Sequence, residues 1–526
     1  VRERLPDRAC ALAAMHFPRS AEDVEQGRRR LAFEELLLGQ LVFLRRRAGR
    51  RGQTGARALA QEPQLTERWL RAGLPFAPTG DQLRAIEVLD RDLAEPRPMQ
   101  RLLMGEVGSG KTVVALYAML RAVEHGYQAA LMAPTETLAE QHFATIQALL
   151  GAEPVAVALL TGSTPASRRR DILGKLGSGE LSLVVGTHAL IEPDVRFAAL
   201  AVAVIDEQHR FGVRQRAALE AQHPDHPPHT LHMTATPIPR TLALARYGDL
   251  DASTLRELPR GRQPIDTSLV AGEGARERAY EALRSELDAG RQAFVVCPLI
   301  DEAEVLDAAT AGAAGLTGSN PAPDAGVKAA TAELVRLRAN ELAGYELALL
   351  HGGMRSREKQ EAMAAFAAGS AQVLVATTVI EVGIDVPNAT VMLIENAERF
   401  GISQLHQLRG RVGRGEHRAR CFLAGPPSAA GSPRLRALVA HADGFRLAEI
   451  DLELRSEGEL IGTRQSGQRS FRVASMPEDA QLLERARARA EAIFAADPEL
   501  LEPEHELLGE ELREWLGAEQ AEPIPA

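Results

Sequence analysis

The sequence predicts an α/β protein: two tandem lobes, each built on a parallel β-sheet, with a helical linker ahead of them and a helical region behind. Three observations predict it. Short, continuously apolar runs recur along the chain, each closed by a polar tail, which is the pattern of strands buried on both faces of a parallel sheet with helices between them. The first of these runs opens into a glycine-rich loop that leads straight into a helix. A second set of runs starts near Arg262 with no such loop, as expected of a duplicated unit that has lost one. The expected boundaries are 1–60 for the linker, 61–258 and 259–430 for the lobes, and 431–526 for the C-terminal region.

The chain has 526 residues, which at roughly 150 residues per domain suggests three or four domains. Hydrophobic residues make up 45%, ordinary for globular domains, and the formal net charge of -10 gives no global basic field. A nucleic-acid partner needs only a local stripe of positive charge, so that balance does not exclude one. Cys10, Cys297 and Cys421 lie far apart, without metal-ligand spacing, and fit a reducing cytoplasm. No apolar run reaches the ~18 residues of a membrane span, and Val1 in place of methionine points to missing preceding sequence.

From Ala21 to Arg47, residues Leu31, Phe33, Leu36, Leu37, Leu41 and Leu44 recur at helical spacing, with arginine clusters at Arg28–Arg30 and Arg45–Arg47. This reads as a long amphipathic helix, a strut between domains, followed by a turn or hinge over Gly49–Gly55. Thr79 is placed to cap a helix that carries Gln82, whose amide matches the N6 and N7 edge of adenine.

The stretch Gly105-Glu106-Val107-Gly108-Ser109-Gly110-Lys111-Thr112 is a phosphate-binding loop between a strand, Arg101–Met104, and a buried helix, Val113–Leu120. Its glycines let backbone N–H groups curl around a phosphate, Lys111 reaches the β- and γ-phosphates, and the Thr112 hydroxyl takes Mg²⁺. Nucleotide binding follows. Downstream, Ala129–Ala133, Leu183–Val185 and Val202–Ile205 are buried-strand runs whose tails share the functional rim of the sheet. Asp206 is the acid that holds Mg²⁺ and Glu207 the one that orients or deprotonates the attacking water. A fourth run ends in Thr234-Ala235-Thr236.

In the second unit, Ala293–Pro298 and Val373–Ala376 are again buried strands, and Asp307–Ala330 reads as a flexible Ala/Gly/Pro/Ser surface insertion. Arg411 and Arg414, separated by Val-Gly on a helix, need an anion to face and are arginine-finger candidates worth about 10³–10⁵ in rate.

In order, Gln82, the loop, Ala133–Glu136, Thr161-Gly162, Gly186–His188, Asp206–His209, Thr234–Thr236, Gly383–Asp385 and Gln407–Arg414 resemble the motifs of superfamily-two helicases, over about Phe76 to Arg420. More narrowly, Asp206–Arg216, Thr234–Leu242, and the flank His16–Phe17–Pro18 with Arg29–Leu36 are similar to the RecG ATP-dependent DNA helicases. That resemblance implies RecA-like lobes and, at Asp443–Arg455 with Gly462–Gly467, the TRG element that couples lobe motion to duplex translocation. One departure stands out: Ser456-Glu457-Gly458-Glu459 replaces the family's Gly-Pro-Gly-Glu.

The resemblance further implies ATP and Mg²⁺ as cofactors, with Phe76, Gly383, Asp385 and Gln407 added to the nucleotide contacts and Gln208 and His209 to the catalytic set. It assigns DNA contact or coupling to Thr135, Thr161, Thr187, His188, Thr234, Thr236, Thr377, Thr463, Arg464 and Gln465. It also implies that an OB-fold wedge domain ahead of the linker is missing. The expected partners are branched DNA (forks and Holliday junctions) and a single-stranded-DNA-binding protein, for a monomer in the bacterial cytoplasm, associated with the nucleoid. A transcription-repair coupling translocase, which shares the TRG element, and an RNA helicase are the alternatives.

Overall fold

The computed structural model describes residues 5–52, 55–151, 153–207, 219, 225–235, 250–259, 264–298, 325–377, 386–456, 471–476 and 478–521. The chain divides into two compact units, one of residues 1–105, 110–257 and 452–526, the other of residues 106–109 and 258–451.

The first unit is built on a seven-stranded parallel sheet of order β3-β4-β2-β5-β6-β1-β7. Its strands are β1 (Gln100–Gly105), β2 (Gln128–Met132), β3 (Val157–Leu160), β4 (Leu183–Gly186), β5 (Leu200–Ile205), β6 (His229–Thr234) and β7 (Asp251–Leu255). Every residue of β2, β4, β5 and β6 is buried; in β2, β4 and β5 this is why the apolar runs are nearly unbroken rather than alternating, whereas β6 buries His229, Thr230, His232 and Thr234 along with its apolar residues. Because all pairings are parallel, the C-terminal ends of the strands emerge along one edge.

Helix α1 (Ala21–Gly52) lays its apolar stripe, Phe33, Leu36, Leu37, Leu41 and Leu44, against Leu482, Leu483, Ala486 and Ile493 of the helix Ala480–Ala496 near the C-terminal end. The arginine clusters at its ends are tied down by carboxylates: Arg28 to Asp479 and Glu25, Arg30 to Glu34, Arg45 to Glu499, and Arg47 to Asp251. Glu35 accepts backbone N–H bonds from Arg472, Val473 and Ala474, at 2.6, 2.9 and 3.0 Å. The strut is therefore anchored along its length to the C-terminal segment of the same unit. It also runs on through Gly49 to Gly52, where a turn was expected from Gly49 onward. One glycine inside a helix costs about 1 kcal/mol relative to alanine, too little to end a helix this long.

Helix α2 (Gly80–Leu93) starts at a capping box, and α3 (Lys111–Glu124) has every residue from Val113 to Ala122 buried. Asp90 of α2 accepts from Tyr117 at 2.8 Å and pairs with Arg121 at 3.0 Å, so the two helices are bonded as well as packed. Helix α4 (Glu136–Leu150) follows β2 and is capped by Thr135.

The second unit carries a six-stranded parallel sheet of order β10-β11-β9-β12-β13-β8. These strands are β8 (Ile265–Ala271), β9 (Gln292–Val296), β10 (Leu347–Leu350), β11 (Val373–Ala376), β12 (Ala389–Ile394) and β13 (Ala419–Gly425). Part of the expected insertion is helical, since Ala325–Ala339 forms a helix whose Leu334 and Leu337 join the core. That burial overrides the Ala/Gly-rich composition at its start. Among the described residues, no helix is long and apolar enough to cross a membrane.

Candidate functional site

Strand β1 delivers the chain into the glycine-rich loop, where Ser109 N donates to Glu106 O at 3.1 Å and closes a tight turn. Gly108 and Gly110 hold φ of 82° and 80°, in the left-handed region that L side chains seldom adopt. Gly110 is also the N-cap of α3, and Val113 N donates back to its carbonyl at 3.0 Å. The helix thus begins with its N–H groups and positive dipole end at the loop, as phosphate binding requires. Lys111 Nζ donates to Gly105 O at 2.7 Å, which holds the ammonium against the loop, and Thr112 is half-buried in the first helical turn.

Gln82 is buried on α2. Its Oε1 accepts from Thr79 N at 2.9 Å while Thr79 Oγ1 accepts from Gln82 N at 3.3 Å, a reciprocal cap. Its Nε2 approaches Gly110 so closely that a β-carbon there would lie 2.1 Å away. The amide thus joins the start of α2 to the phosphate loop. Phe76, six residues earlier, stays 44% exposed and leaves an aromatic face open to a flat ring.

Asp206 follows β5, which is separated from β1 by β6 alone. Its backbone N–H donates to Met132 O at 2.9 Å, and its carboxylate accepts from His142 Nε2 at 2.7 Å. Burial pushes the Asp206 carboxyl up, but the His142 hydrogen bond, the attraction of His142 and Lys111, and the Glu207 backbone N–H outweigh it and hold the group below the ordinary carboxylate range. Glu207 has a φ of 49°. A non-glycine residue held there is strained by on the order of 1 kcal/mol or more, a device concentrated at functional sites.

The ionised carboxylate of Asp206 and the hydroxyl of Thr112 are hard oxygen donors. That donor set fits Mg²⁺, which is held by one or two protein oxygens with phosphates and water.

The rim hydroxyls are largely engaged within the fold. Thr135 Oγ1 accepts from Leu138 N at 3.3 Å as the α4 cap, Thr161 lies 3.0 Å from Ser163 Oγ, and Thr187 accepts from Ala189 N at 3.5 Å. Thr161, Thr187 and Thr234 are buried at strand ends, whereas His188 is exposed beside them.

In the second unit, Thr377 is buried just after β11, and Gln407 is buried on α5 (Ile402–Arg409). Arg411 and Arg414 lie beyond that helix, which ends at Arg409 with Gly410 as its C-cap. They occupy the following turn rather than a helix: Arg411 N and Val412 N donate three residues back, to Leu408 O at 3.0 Å and Arg409 O at 3.4 Å, and Gly413 then takes φ 73°. Arg411 is buried and Arg414 half-buried, with Arg414 Nε donating to Gly410 O at 3.2 Å. The third arginine of the run, Arg409, is structural: it donates to Leu438 O, His441 O and Ala442 O at 2.8, 2.9 and 3.0 Å. Gln208, His209, Thr236, Gly383, Asp385, Thr463, Arg464 and Gln465 lie outside the described residues.

Sequence reasoning missed His142 and Asp81. The first is an unremarked residue on an ordinary amphipathic helix; the second accepts from Arg256 N and Glu257 N at 2.7 and 2.8 Å, across more than 170 residues.

Comparison with known proteins matches residues 79–244 to the DEAD/DEAH box helicase family, 325–416 to the helicase conserved C-terminal domain, and 441–519 to the C-terminal part of domain 3 of ATP-dependent DNA helicase RecG. The chain is 47% identical over 503 residues to the ATP-dependent DNA helicase RecG of Synechocystis sp., covering 95% of this chain and 58% of that one. It is 44% identical over 512 residues to the protein of the same name in Bacillus subtilis, covering 97% and 71%. Among solved structures, it is similar to that of RecG bound to a three-way DNA junction, with a TM-score of 0.71, 40% identity, and coverage of 92% of this chain and 60% of that one. The chain thus spans between about three-fifths and seven-tenths of the length of these relatives.

Proposed function

Because this chain belongs to the RecG family of ATP-dependent DNA helicases, we propose that it is the motor portion of an enzyme that hydrolyses ATP to translocate on double-stranded DNA and remodel branched DNA at stalled forks and Holliday junctions. The observation that carries this reading is the convergence on one sheet edge of the glycine-rich loop with Lys111 after β1 and the paired acids Asp206 and Glu207 after β5. The match over 441–519 favours it over a transcription-repair translocase or an RNA helicase.

In this mechanism the loop N–H groups and Lys111 bind the β- and γ-phosphates, and Phe76 and Gln82 border the base. Thr112 and Asp206 would hold Mg²⁺, which supplies charge neutralisation on the phosphate oxygens. Glu207 orients the attacking water and takes its proton. Arg411 and Arg414 stabilise charge that develops on the transferred phosphoryl group. Gln208, His209, Gly383, Asp385 and Gln407 complete the nucleotide site. Thr135, Thr161, Thr187, His188, Thr234, Thr236 and Thr377 follow DNA, and Thr463, Arg464 and Gln465 pass the motion on to the duplex. The linker, two lobes and coupling region follow the boundaries 1–60, 61–258, 259–430 and 431–526. The enzyme acts as a monomer at the bacterial nucleoid, alongside a single-stranded-DNA-binding protein.

ATP hydrolysis measured side by side with forked DNA, duplex, single-stranded DNA and RNA tests this. Forked DNA is expected to stimulate most. Stimulation by RNA above that by every DNA would overturn the reading.

A further inference from the structure

His142 has no part in the roles assigned above, yet it touches the acid on which they depend. It lies in the second turn of α4, and its Nε2 is 2.7 Å from Asp206 Oδ2, with only 10% and 9% of the two side chains exposed. An ionised carboxylate can only accept, so the ring donates through Nε2–H. A single connection sets both partners: Met132, which ends β2, accepts from Asp206 N at 2.9 Å, and the three residues after it lead into α4 through the Thr135 cap. A buried imidazole usually finds some polar partner in the core. Here the partner is the carboxylate that directly follows the central strand β5, at the functional edge of the sheet.

We propose that His142 is a positioning residue that holds Asp206 in one orientation, so that its remaining lone pairs meet the metal of the bound nucleotide. The proposal rests on the reading of Asp206 as the metal-holding acid. Without the bond, the Glu207 backbone N–H is left to hold the Asp206 carboxylate, its orientation is less fixed, and metal binding must complete the ordering. Outer hydrogen bonds of this kind commonly change metal affinity or activity by about 10–100-fold when removed.

The test measures binding of a fluorescent, non-hydrolysable ATP analogue with and without Mg²⁺, together with the Mg²⁺ concentration for half-maximal ATP hydrolysis. His142→Leu is expected to bind the analogue without Mg²⁺ as the unaltered chain does, while losing about tenfold or more of the tightening that Mg²⁺ confers. Its half-maximal Mg²⁺ rises in step. His142→Gln, whose amide donor reaches about as far as Nε2, recovers most of both, and His142→Asn, one carbon shorter, does not; this pair decides the matter where the leucine variant fails to fold. An unchanged Mg²⁺ effect in a folded His142→Leu chain overturns the proposal. Equal losses with and without Mg²⁺ also overturn it, because they indicate a role in folding only. Asp206→Asn is measured alongside: if its Mg²⁺ dependence is unaltered, the reading of Asp206 fails; if it is lost while His142→Leu keeps it, the His142 proposal alone falls.

Discussion

The amide nitrogen of Gln82 fills the space where a side chain at position 110 would begin: a β-carbon on Gly110 would stand 2.1 Å from it. Gly110 also sits at φ 80°, so two separate constraints exclude a side chain there. Gly110→Ala is expected to weaken nucleotide binding by more than about tenfold, since the loop must change shape to admit the methyl group. Adding Gln82→Ala removes the collision but not the backbone strain, so affinity should return only in part. Nucleotide titration of both variants checks this; near-normal affinity in Gly110→Ala would show that the loop does not clasp phosphate in this form.

Lys111→Ala and Glu207→Gln are expected to fail at different steps. The first should abolish hydrolysis with weakened nucleotide binding, because the phosphates lose their charged partner. The second should bind the nucleotide with Mg²⁺ normally and turn over at least about a hundredfold more slowly, since the carboxylate at the attacking water is gone while Asp206 remains. Binding and single-turnover measurements separate the two. Loss of binding with no separate loss of turnover in Glu207→Gln would show that the roles of the two acids are misassigned.

Arg409 and Arg414 lie five residues apart and should behave oppositely. Arg409 spans three backbone carbonyls while buried, so Arg409→Ala is expected to destabilise the second unit by about 3 kcal/mol, seen as a lower melting temperature. Arg414→Ala should melt normally and bind nucleotide normally, yet hydrolyse it on the order of a thousandfold more slowly, as expected of a side chain that acts on the transition state. Unchanged turnover in Arg414→Ala would remove the finger assignment.

Asp81 gives a pH-dependent prediction. Its carboxylate is pushed up by burial but held down more strongly by the backbone N–H groups of Glu257 and Arg256 and by Arg84, so its folded pKa is below the ordinary 3.8. A depressed pKa stabilises the fold above the unfolded value, and that contribution disappears as pH falls through the folded value. The melting-temperature gap between the unaltered chain and Asp81→Ala should therefore be steady from about pH 8 to 5 and close below about pH 4. A gap that persists undiminished at about pH 3 would show that the stabilisation does not come from the ionised carboxylate.

The glycine-rich loop, the buried strands, the Asp206-Glu207 pair at a strand end and the stripe of α1 were all legible in the sequence, because each depends on spacing along a few consecutive residues. Backbone geometry converts that spacing directly into a turn, a strand or a helix face. Helix ends were less legible: α1 passes through Gly49, and the helix carrying Gln407 stops at Arg409, before Arg411 and Arg414. In both places a difference of about 1 kcal/mol in local preference gives way to whatever the surroundings supply.

The pairing of His142 with Asp206, of Arg28 with Asp479, and of Asp81 with the backbone at Arg256 and Glu257 was decided only by the tertiary structure. These partners are 64, 451 and about 175 residues apart. The order β3-β4-β2-β5-β6-β1-β7 brings together strand ends that the chain itself keeps far apart. Which histidine meets the acid, and which of three neighbouring arginines spans three backbone carbonyls, depends on that order and on what burial then requires each polar group to find.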